Sequence, residues 1–573
     1  FDEVNPTPSP DSALVAFTCG GDLFVRPSDG GEALRLTSDG SDVILNGYAS
    51  WVYYEEVFGR PSRYRAFWWS PDSRKLAFYR FDNSEVRMFP IYSPGGSKGG
   101  SLNETRYPLA GDANPRVKIG IISLDDPRKI VWADFDEDED QYFGTPFWGA
   151  DSKNLFVQHE PRVQQELELF AVSAADGSRK SIYKETYPTW LDWMEDMLFT
   201  GSGLYMSRAF ETGWQQIYFL SYDGKTLRRL TSGVNWRISL LAADEKSGTV
   251  YFTSYRDSDV HQCLYSVDRK GQVTLLSEPE YQADVVGIDL GSKKAEVIYS
   301  NINTPPFGVT LSLRRRSSPA KVSIPETPAG PRREIVYAQM SDGQKVPATI
   351  ALPDGFDPSK RYPVVVEIYG GPDTPYVRDR WRGVPVMDRW FWENGIIKVV
   401  ADTRAAGHNG RKGTDLVFRD VVSVPVEDVC TWARWLADLP YVDPERIGVE
   451  GFSFGGTMTA MLVMNHPELF RCGVAGGGVY DWTLYDSHYT ERFMDTPRRN
   501  PEGYARARVL NDVDNYDHSR SRLKLTHGTG DDNVHLQNTL LLVDALQRSG
   551  KQFDLMLYPD GMHGYRGEQA RHD

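Results

Sequence analysis

Residues 451–455 of the sequence are Gly-Phe-Ser-Phe-Gly, and they follow a short apolar run at residues 446–450. A stretch with helical character, residues 456–465, comes next. A serine between a strand and a helix, with glycine at both ends of the turn, is typical of a nucleophile elbow. The glycines let the chain turn sharply without Cβ clashes, so that the Ser453 hydroxyl is exposed above a sheet. Because the same pattern also occurs in Gly-rich loops, the interpretation needs partner residues elsewhere.

Two downstream segments supply such partners. A serine hydroxyl is a poor nucleophile until a base takes its proton, and in this fold the carboxylate and then the histidine follow the serine along the chain. Residues 523–528 predict a buried strand that leads to Asp531, and residues 553–558 predict another that leads to His563. Alone, either residue would be interpreted as a turn carboxylate or a solvated loop histidine. Their order, each after its own strand, predicts a catalytic triad with Ser453.

Composition limits the function classes. A chain of 573 residues is too long for one core, and 40% hydrophobic residues support large packed domains. The net charge of −15 argues against nucleic-acid binding and favours cationic ligands. The four cysteines have neither a zinc spacing nor the density of a disulfide framework, so we expect no metal and no cofactor. No membrane span or signal peptide is recognisable, although the start at Phe1 leaves open that a leader has been removed.

Residues 1–325 predict an all-β propeller, because short strands, aromatic residues and Asp-Gly turns dominate there. A hairpin pattern recurs: Phe170 and Tyr218 are 48 positions apart and the next repeat follows after 47, which is the period of a four-stranded blade. The pattern gives about six blades. The interval between Phe24 and Ile121 is twice as long, so it holds either two blades or one blade with an insertion.

Residues 331–573 predict an α/β-hydrolase domain, because strands there alternate with helices as in a parallel sheet. The Pro-rich stretch 304–331 is the expected junction between the domains. The predicted strands include residues 363–368, 396–401, 447–449 and 472–475, and the predicted helices include 426–439 and 536–546.

Several long motifs occur in the same order as in one known family. Over essentially its whole length, the chain resembles the dipeptidyl peptidase IV branch of the prolyl oligopeptidase group of serine peptidases, and the resemblance points to a bacterial homologue. The motifs that carry it are WVYYEEVF at 51–58, YPLAG at 107–111 with Asn114-Pro115, IYGGP at 368–372, WTLYDS at 482–487, YTER at 489–492 and HGTGDDNVH at 527–535.

The resemblance implies roles for individual residues. Glu55 and Glu56 would hold the free α-ammonium group of a peptide substrate, which two carboxylates facing one cation can do through charge-assisted hydrogen bonds. The Tyr369 phenol and the Phe454 backbone N–H would stabilise the oxyanion of the tetrahedral intermediate. Asn533 would bind the carbonyl that precedes the proline. Without the resemblance, the two glutamates would be interpreted as a solvated pair on a surface helix.

The resemblance also implies a compact apolar pocket for the side chain of the penultimate proline or alanine. Taken alone, such aromatic residues are more often part of a core. The pocket residues would be Phe454, Val479, Trp482, Tyr485, Tyr489 and Val534.

The sequence departs from the family pattern at three places. The family has tyrosine where this chain has Phe454, so a polar role for that ring is in doubt, although its backbone N–H is unaffected. The family propeller has eight blades, so we expect about two of them, and an arginine that assists the substrate carbonyl, to be missing ahead of Phe1. Ten residues follow His563, too few for the closing helix of the hydrolase domain. We therefore expect a chain that is truncated at both ends.

The resulting expectation is a serine exopeptidase that releases Xaa-Pro, and less readily Xaa-Ala, dipeptides from peptides with a free N-terminus. We expect a homodimer in the periplasm or outside the cell. Three alternatives remain: a prolyl tripeptidyl peptidase, whose amine anchor would lie one residue further from Ser453; an esterase, which needs no acidic pair; and a propeller scaffold with an inactive hydrolase domain.

Overall fold

The computed structural model describes residues 2–95, 98–316 and 324–565. Within these ranges, six small antiparallel sheets follow one another along the chain and precede one eight-stranded mixed sheet. The six sheets form a β-propeller and the large sheet forms an α/β domain. This order is the fold class that the sequence predicts.

Among the first three propeller sheets, the second contains the longest inserted segments. The first sheet contains β1 (Val4–Pro8), β2 (Leu14–Cys19), β3 (Asp22–Pro27) and β4 (Leu34–Arg35). The second contains β5 (Ile44–Asn46), β6 (Phe67–Trp69), β7 (Lys75–Asp82), β10 (Arg116–Ser123) and β11 (Ile130–Trp132), and a separate hairpin is formed by β8 (Met88–Ser93) and β9 (Ser101–Arg106). The third contains β12 (Gln141–Phe143), β13 (Phe147–Trp148), β14 (Asn154–Pro161), β15 (Glu166–Ser173) and β16 (Arg179–Thr186).

The last three propeller sheets are simpler meanders, and the sixth has three strands in the described part of the chain. Their strands are β17 (Leu198–Phe199), β18 (Gly203–Arg208), β19 (Gln216–Ser221) and β20 (Leu227–Arg229); β21 (Trp236–Asp244), β22 (Thr249–Tyr255), β23 (Cys263–Val267) and β24 (Val273–Leu275); and β25 (Gln282–Asp289), β26 (Lys294–Asn301) and β27 (Thr304–Ser312).

The long interval between Phe24 and Ile121 contains one blade with two insertions. A π-helical turn, Tyr53–Val57, and a 3₁₀ turn, Ser62–Tyr64, lie between β5 and β6, and the β8–β9 hairpin lies between β7 and β10. The sheet itself is regular, because alternating apolar residues of β7 face the blade core and pair in register with β10. The glutamates predicted to bind substrate therefore lie on an insertion and not on a blade strand.

The α/β domain is built on a sheet in the order β28-β29-β31-β30-β32-β33-β34-β35. Its first three strands pair antiparallel and the others pair parallel, so the loops after the parallel strands meet at one edge. The strands are β28 (Arg333–Gln339), β29 (Lys345–Ala351), β30 (Tyr362–Ile368), β31 (Ile397–Ala401), β32 (Val442–Phe452), β33 (Cys472–Gly476), β34 (Arg522–Gly528) and β35 (Asp554–Tyr558).

Seven α-helices connect these strands in the described part of the domain. The two predicted helices are present as α3 and α7, with ends that differ by one to three residues from the sequence-based bounds. Among the described residues, no helix is long and apolar enough to cross a membrane. The helices are α1 (Val386–Glu393), α2 (Arg411–Thr414), α3 (Ser423–Ala437), α4 (Phe454–Asn465), α5 (Ser487–Met494), α6 (Pro501–Ala507) and α7 (Gln537–Arg548), with 3₁₀ turns at Arg404–Ala406, Asp415–Val417, Trp482–Leu484 and Val509–Asn515.

The predicted junction begins too early in the sequence. Residues 304–312 form β27, which pairs with β26 over most of its length. Its alternating residues Phe307, Val309 and Leu311 are buried in the core of the sixth blade, and this burial outweighs the two prolines near its start. The middle of the predicted junction, residues 317–323, lies outside the described residues.

The two domains are joined close to the predicted apolar pocket. The Ala110 N–H donates a hydrogen bond to the Tyr485 carbonyl over 2.9 Å, and the Ser487 N–H donates to the Pro108 carbonyl over 3.0 Å. The propeller segment that contains Pro108 and Ala110 thus lies along the hydrolase segment that contains the predicted pocket residue Tyr485.

An ion pair supports the same interface. Arg162, at the end of β14, donates two hydrogen bonds of 2.6 and 2.7 Å to the two carboxylate oxygens of Glu491 on α5. The Glu491 side chain is 2% exposed and also accepts a hydrogen bond from the Gly111 N–H. Because a carboxylate buried this deeply is costly without a cationic partner, the Arg162 guanidinium stabilises the joined domains.

We predict that Arg162→Met lowers the free energy of unfolding by about 3–5 kcal/mol, because it leaves the buried Glu491 carboxylate unpaired. Urea denaturation followed by tryptophan fluorescence measures the change. The matched control is Arg116→Met, which removes exposed ion pairs to Glu85 and Asp138 and is expected to cost less than about 1 kcal/mol. Equal effects of the two substitutions would contradict the prediction.

Candidate active site

Ser453 lies in a strained turn between β32 and α4. Its backbone has φ 60° and ψ −120°, a conformation that is unfavourable for a residue with a Cβ atom. The turn is held by the surrounding backbone: the Ser453 N–H donates to the Gly476 carbonyl over 2.8 Å. A Cβ atom at Gly455 would lie 2.4 Å from the Ile368 carbonyl oxygen, so only glycine fits there. The predicted nucleophile elbow is therefore present as a tightly packed turn.

The three residues of the predicted triad are connected by hydrogen bonds. The His563 Nε2 atom lies 3.0 Å from the Ser453 Oγ atom, and the His563 Nδ1 atom lies 2.7 Å from the Asp531 Oδ2 atom. Asp531 follows β34 and His563 follows β35, so all three residues lie at the same edge of the sheet. This geometry lets the imidazole accept the serine proton while the carboxylate fixes its orientation.

The Asp531 carboxylate is buried and accepts several hydrogen bonds. Its Oδ1 atom accepts hydrogen bonds from the N–H groups of Asn533 and Val534, at 3.0 and 2.9 Å. Burial alone would raise its pKa, but the nearby His527 and His563 rings outweigh burial and lower the pKa to about 2. The carboxylate therefore stays charged. His527 was not predicted to act here; it is held by hydrogen bonds to Thr539 and to the Val534 carbonyl.

Tyr369 and Phe454, the two predicted oxyanion donors, lie close together, with ring centroids 5.9 Å apart. Tyr369 follows β30, and its phenol interacts with the side chains of Ser453 and Tyr489. Burial, together with the nearby Glu56 carboxylate, raises the pKa of Tyr369 to about 12, so the hydroxyl keeps its proton and can donate it in a hydrogen bond. Phe454 is the first residue of α4, where backbone N–H groups have no partner within the helix. Both groups are thus available as oxyanion donors.

The predicted apolar residues do lie together beside Ser453. The Trp482 ring centroid is 5.4 Å from that of Phe454 and 6.3 Å from that of Tyr489, and Tyr485 and Tyr489 are 5.6 Å apart. Val479 and Val534 are buried in the same hydrophobic core. The missing hydroxyl of Phe454 leaves its ring fully apolar within this group.

The two glutamates of the π-helical turn have different surroundings. Glu55 accepts hydrogen bonds from the Arg60 guanidinium and, over 2.8 Å, from the Asn533 side-chain amide. In the described part of the chain, Glu56 makes no hydrogen bond or ion pair. Burial, followed by the nearby Asp486 and Glu55 carboxylates, raises the pKa of Glu56 well above its usual range. Glu56 therefore has no direct cationic partner among the described residues.

Asp486 is a third carboxylate near Glu55 and Glu56, and no role is predicted for it from the sequence. It is fully buried and caps α5 by accepting a hydrogen bond from the Tyr489 N–H over 2.8 Å. Its Oδ2 atom has no hydrogen-bond partner among the described residues. Burial raises its pKa to about 7, with a smaller contribution from Glu55. A cation that enters between these acids would relieve their mutual repulsion.

Asn533 connects the acids with the apolar residues. Its side-chain oxygen accepts a hydrogen bond from the Tyr485 hydroxyl over 2.8 Å, and its amide donates to Glu55. Its backbone carbonyl accepts a hydrogen bond from the propeller residue Tyr107 over 2.9 Å. The predicted role of Asn533 toward a substrate carbonyl stays a prediction. Within the described ranges, no group of three His, Cys, Asp or Glu residues is arranged to hold a metal ion.

Comparison with known proteins agrees with this geometry. Residues 2–306 match the family model of the dipeptidyl peptidase IV N-terminal region, and residues 387–573 match that of the prolyl oligopeptidase family. The chain belongs to the dipeptidyl peptidase IV branch of the prolyl oligopeptidase family. The family resemblance inferred from the motifs is thereby confirmed.

Individual members of the family are similar over nearly the whole chain. The probable dipeptidyl peptidase 4 of Emericella nidulans is 30% identical over 97% of this chain and 75% of its own length. The probable dipeptidyl-aminopeptidase B of Aspergillus clavatus is 31% identical over 97% of this chain, which spans 64% of that relative. The crystal structure of Porphyromonas gingivalis dipeptidyl peptidase 4 superposes with a TM-score of 0.91 at 28% identity, covering 100% of this chain and 81% of that one.

We predict that Ser453 reacts with a fluorophosphonate probe and that Ser453→Ala abolishes the labelling. His563→Ala and Asp531→Asn should slow it by about 10³- to 10⁴-fold, because the first removes the base and the second leaves the imidazole in the wrong tautomer. The matched control is Asp532→Asn, since Asp532 makes no hydrogen bond to His563. Undiminished labelling of the Asp531 variant would show that the carboxylate only packs.

Proposed function

We propose that the protein is a serine exopeptidase that releases Xaa-Pro, and less readily Xaa-Ala, dipeptides from peptides with a free N-terminus. The observation that carries the proposal is the distribution of charge around Ser453. A hydrogen-bonded triad lies on one side, and a group of carboxylates with one unpaired member, Glu56, lies on the other. The names of the fungal and bacterial relatives, which are dipeptidyl peptidases, support the release of dipeptides.

In this proposal, the Ser453 hydroxyl attacks the carbonyl carbon of the scissile bond while His563 takes its proton. The resulting oxyanion receives hydrogen bonds from the Tyr369 hydroxyl and the Phe454 N–H. The imidazolium, which Asp531 stabilises, then protonates the leaving amine. Water attacks the acyl-enzyme by the reverse sequence and releases the dipeptide. These steps use the three triad side chains, the Tyr369 hydroxyl, the Phe454 N–H and one water molecule.

Specificity would come from two neighbouring features. The apolar group around Trp482, Tyr485 and Tyr489 would receive a proline ring, and would receive the smaller methyl of alanine with less contact. Glu56, supported by Glu55, would bind the α-ammonium and so fix the distance from the N-terminus to the cleaved bond. Because Arg60 already pairs with Glu55, we assign the larger share of amine binding to Glu56.

The proposal includes a homodimer that acts in the periplasm or outside the cell. Both parts rest on the family resemblance. Light scattering after size-exclusion chromatography tests the first, and fractionation of the source cells tests the second.

We predict that Tyr369→Phe lowers kcat for a Gly-Pro substrate by about 10²- to 10³-fold, because it removes one oxyanion donor and keeps the ring. The matched control is Tyr376→Phe: the Tyr376 ring stacks on Tyr369 at 5.2 Å, but its hydroxyl is not assigned to the reaction. An unchanged kcat for Tyr369→Phe would mean that this tyrosine only packs.

We also predict that acetylation of the substrate N-terminus nearly abolishes cleavage, because it removes the charge and places bulk against the carboxylates. Glu56→Gln should lower kcat/KM for Gly-Pro-p-nitroanilide by about 30- to 5,000-fold, the loss expected for one partner of a buried charge pair. Glu55→Gln should have a smaller effect, because Arg60 already partly neutralises Glu55.

Two controls test whether a loss of activity is specific to the glutamates that would bind the substrate amine. Fluorophosphonate labelling of Ser453 should be retained in both glutamate variants, and Glu85→Gln, at an exposed ion pair with Arg116, should leave peptidase activity unchanged. Equal cleavage of acetylated and free substrates would indicate an endopeptidase or an esterase. Loss of labelling together with activity would indicate a folding defect.

A further inference from the structure

A cavity lies between the propeller and the hydrolase domain. Its volume is about 520 Å³. One wall comes from the sixth propeller sheet, including Asp284 and Ser300, and the other comes from the loop that follows β30, residues 374–382. The π-helical turn with Glu55 and Glu56 belongs to the second sheet, so the two features face different parts of the interface.

Three arginines of the loop line this cavity. Arg380 forms an ion pair of 2.9 Å with Asp284, which is the carboxylate in the lining. Arg378 donates a hydrogen bond of 3.3 Å to the Pro375 carbonyl and has no carboxylate partner among the described residues. Arg382 is exposed and makes neither a hydrogen bond nor an ion pair in that part of the chain. Two guanidinium groups thus face the cavity without a compensating anion.

This local positive charge contrasts with the rest of the molecule. The chain has a net charge of −15, so nothing in its overall composition favours anions. The carboxylate behind the loop, Asp402, is already occupied, because it accepts hydrogen bonds from the N–H groups of Tyr376 and Val377 and lies 2.8 Å from the His408 ring. Asp402 therefore holds the backbone of the loop and does not neutralise the charge of the arginines that line the cavity.

The cavity adjoins the catalytic centre through two stacked rings. Tyr376, which lines the cavity, lies against Tyr369 with ring centroids 5.2 Å apart and planes inclined by 18°. The Tyr369 phenol in turn interacts with Ser453. A peptide whose N-terminus is held by the acids of the second blade would pass Ser453 and continue away from them. The contact of Tyr369 with both Ser453 and Tyr376 places the arginine cavity one ring beyond the catalytic centre.

We propose that the arginine cavity binds a carboxylate of the peptide that leaves after cleavage. The proposal rests on the proposed function, because it extends the substrate beyond the scissile bond. The ligand is a carboxylate within about four residues of that bond, at the roughly 3.3 Å per residue of extended chain. Either an acidic side chain or the free C-terminus of a short peptide could supply it. Planar guanidinium groups suit this ligand, since they bind carboxylates through paired hydrogen bonds.

The test uses the full chain and a set of Gly-Pro-led peptides of equal length. In one arm, a single glutamate is placed at each of the first four positions after the proline, against a glutamine peptide, all with amidated C-termini. In the other arm, the glutamine peptide carries a free C-terminal carboxylate. We expect the best placed carboxylate to raise kcat/KM about three- to tenfold over the neutral peptide. The gain should shrink with added salt.

Substitutions of the arginines test whether they cause the increase in kcat/KM. In Arg378→Gln/Arg382→Gln, the ratio of kcat/KM between acidic and neutral peptides should fall to about one, and in Arg382→Glu, lysine-containing peptides should become the better substrates. Arg228→Gln is the matched control, since Arg228 is exposed on the edge strand β20 and should alter neither the ratio nor the basal rate.

The outcomes separate this proposal from the proposed function. If Gly-Pro-p-nitroanilide and the neutral peptide are cut but no carboxylate raises kcat/KM, the arginine cavity has no such role and the peptidase assignment stands. A preference for acidic peptides that survives in the double variant also overturns the proposal. If no peptide yields a dipeptide, the proposed function itself fails. A gain in only one arm identifies the source of the carboxylate.

Discussion

The hydrogen bond between the Asn533 amide and the Glu55 carboxylate links the loop of the Ser453–His563–Asp531 triad to the acidic turn of the propeller. Asn533 lies two residues after Asp531, whose carboxylate accepts the Asn533 backbone N–H. The loop that orients the catalytic imidazole is therefore the same loop that contacts the propeller insertion. Any relative shift of the domains would move both at once. This explains why so many other contacts, such as those of Tyr107 and Arg162, hold the interface around that point.

The sequence was sufficient to predict features that depend on local order along the chain. The elbow around Ser453, the strands that precede Asp531 and His563, and the two-domain architecture all follow from short patterns with a fixed geometry. The triad could be predicted because parallel strands bring their carboxyl ends to one edge, whatever the distance between them in sequence. The family motifs added the apolar residues around Trp482, which periodicity alone would have assigned to a core.

Other features depend on contacts that no local pattern encodes. Arg60 and Glu55 pair within the insertion of the second blade, but the proximity of Asp486 to Glu56 arises only when that insertion meets the start of a helix more than 400 residues later in the chain. The extent of β27 was missed because the prolines near its start resemble a linker, and only the burial of its alternating apolar residues shows that it completes a blade. His527 belongs to a motif that carries the family resemblance, but its contact with the triad was not predicted, since that contact depends on the position of Asp531 after folding.

The buried carboxylates near Glu56 also couple ligand binding to the proton concentration. Burial and mutual repulsion raise the pKa values of Glu56 and Asp486, so these groups hold protons that a carboxylate in water would have lost. An ammonium group that enters the site favours their charged forms and expels protons into the solvent. The heat of binding measured by calorimetry will therefore vary with the ionisation enthalpy of the buffer. The affinity for a cationic ligand will weaken as the solution becomes more acidic, even while the ligand keeps its charge.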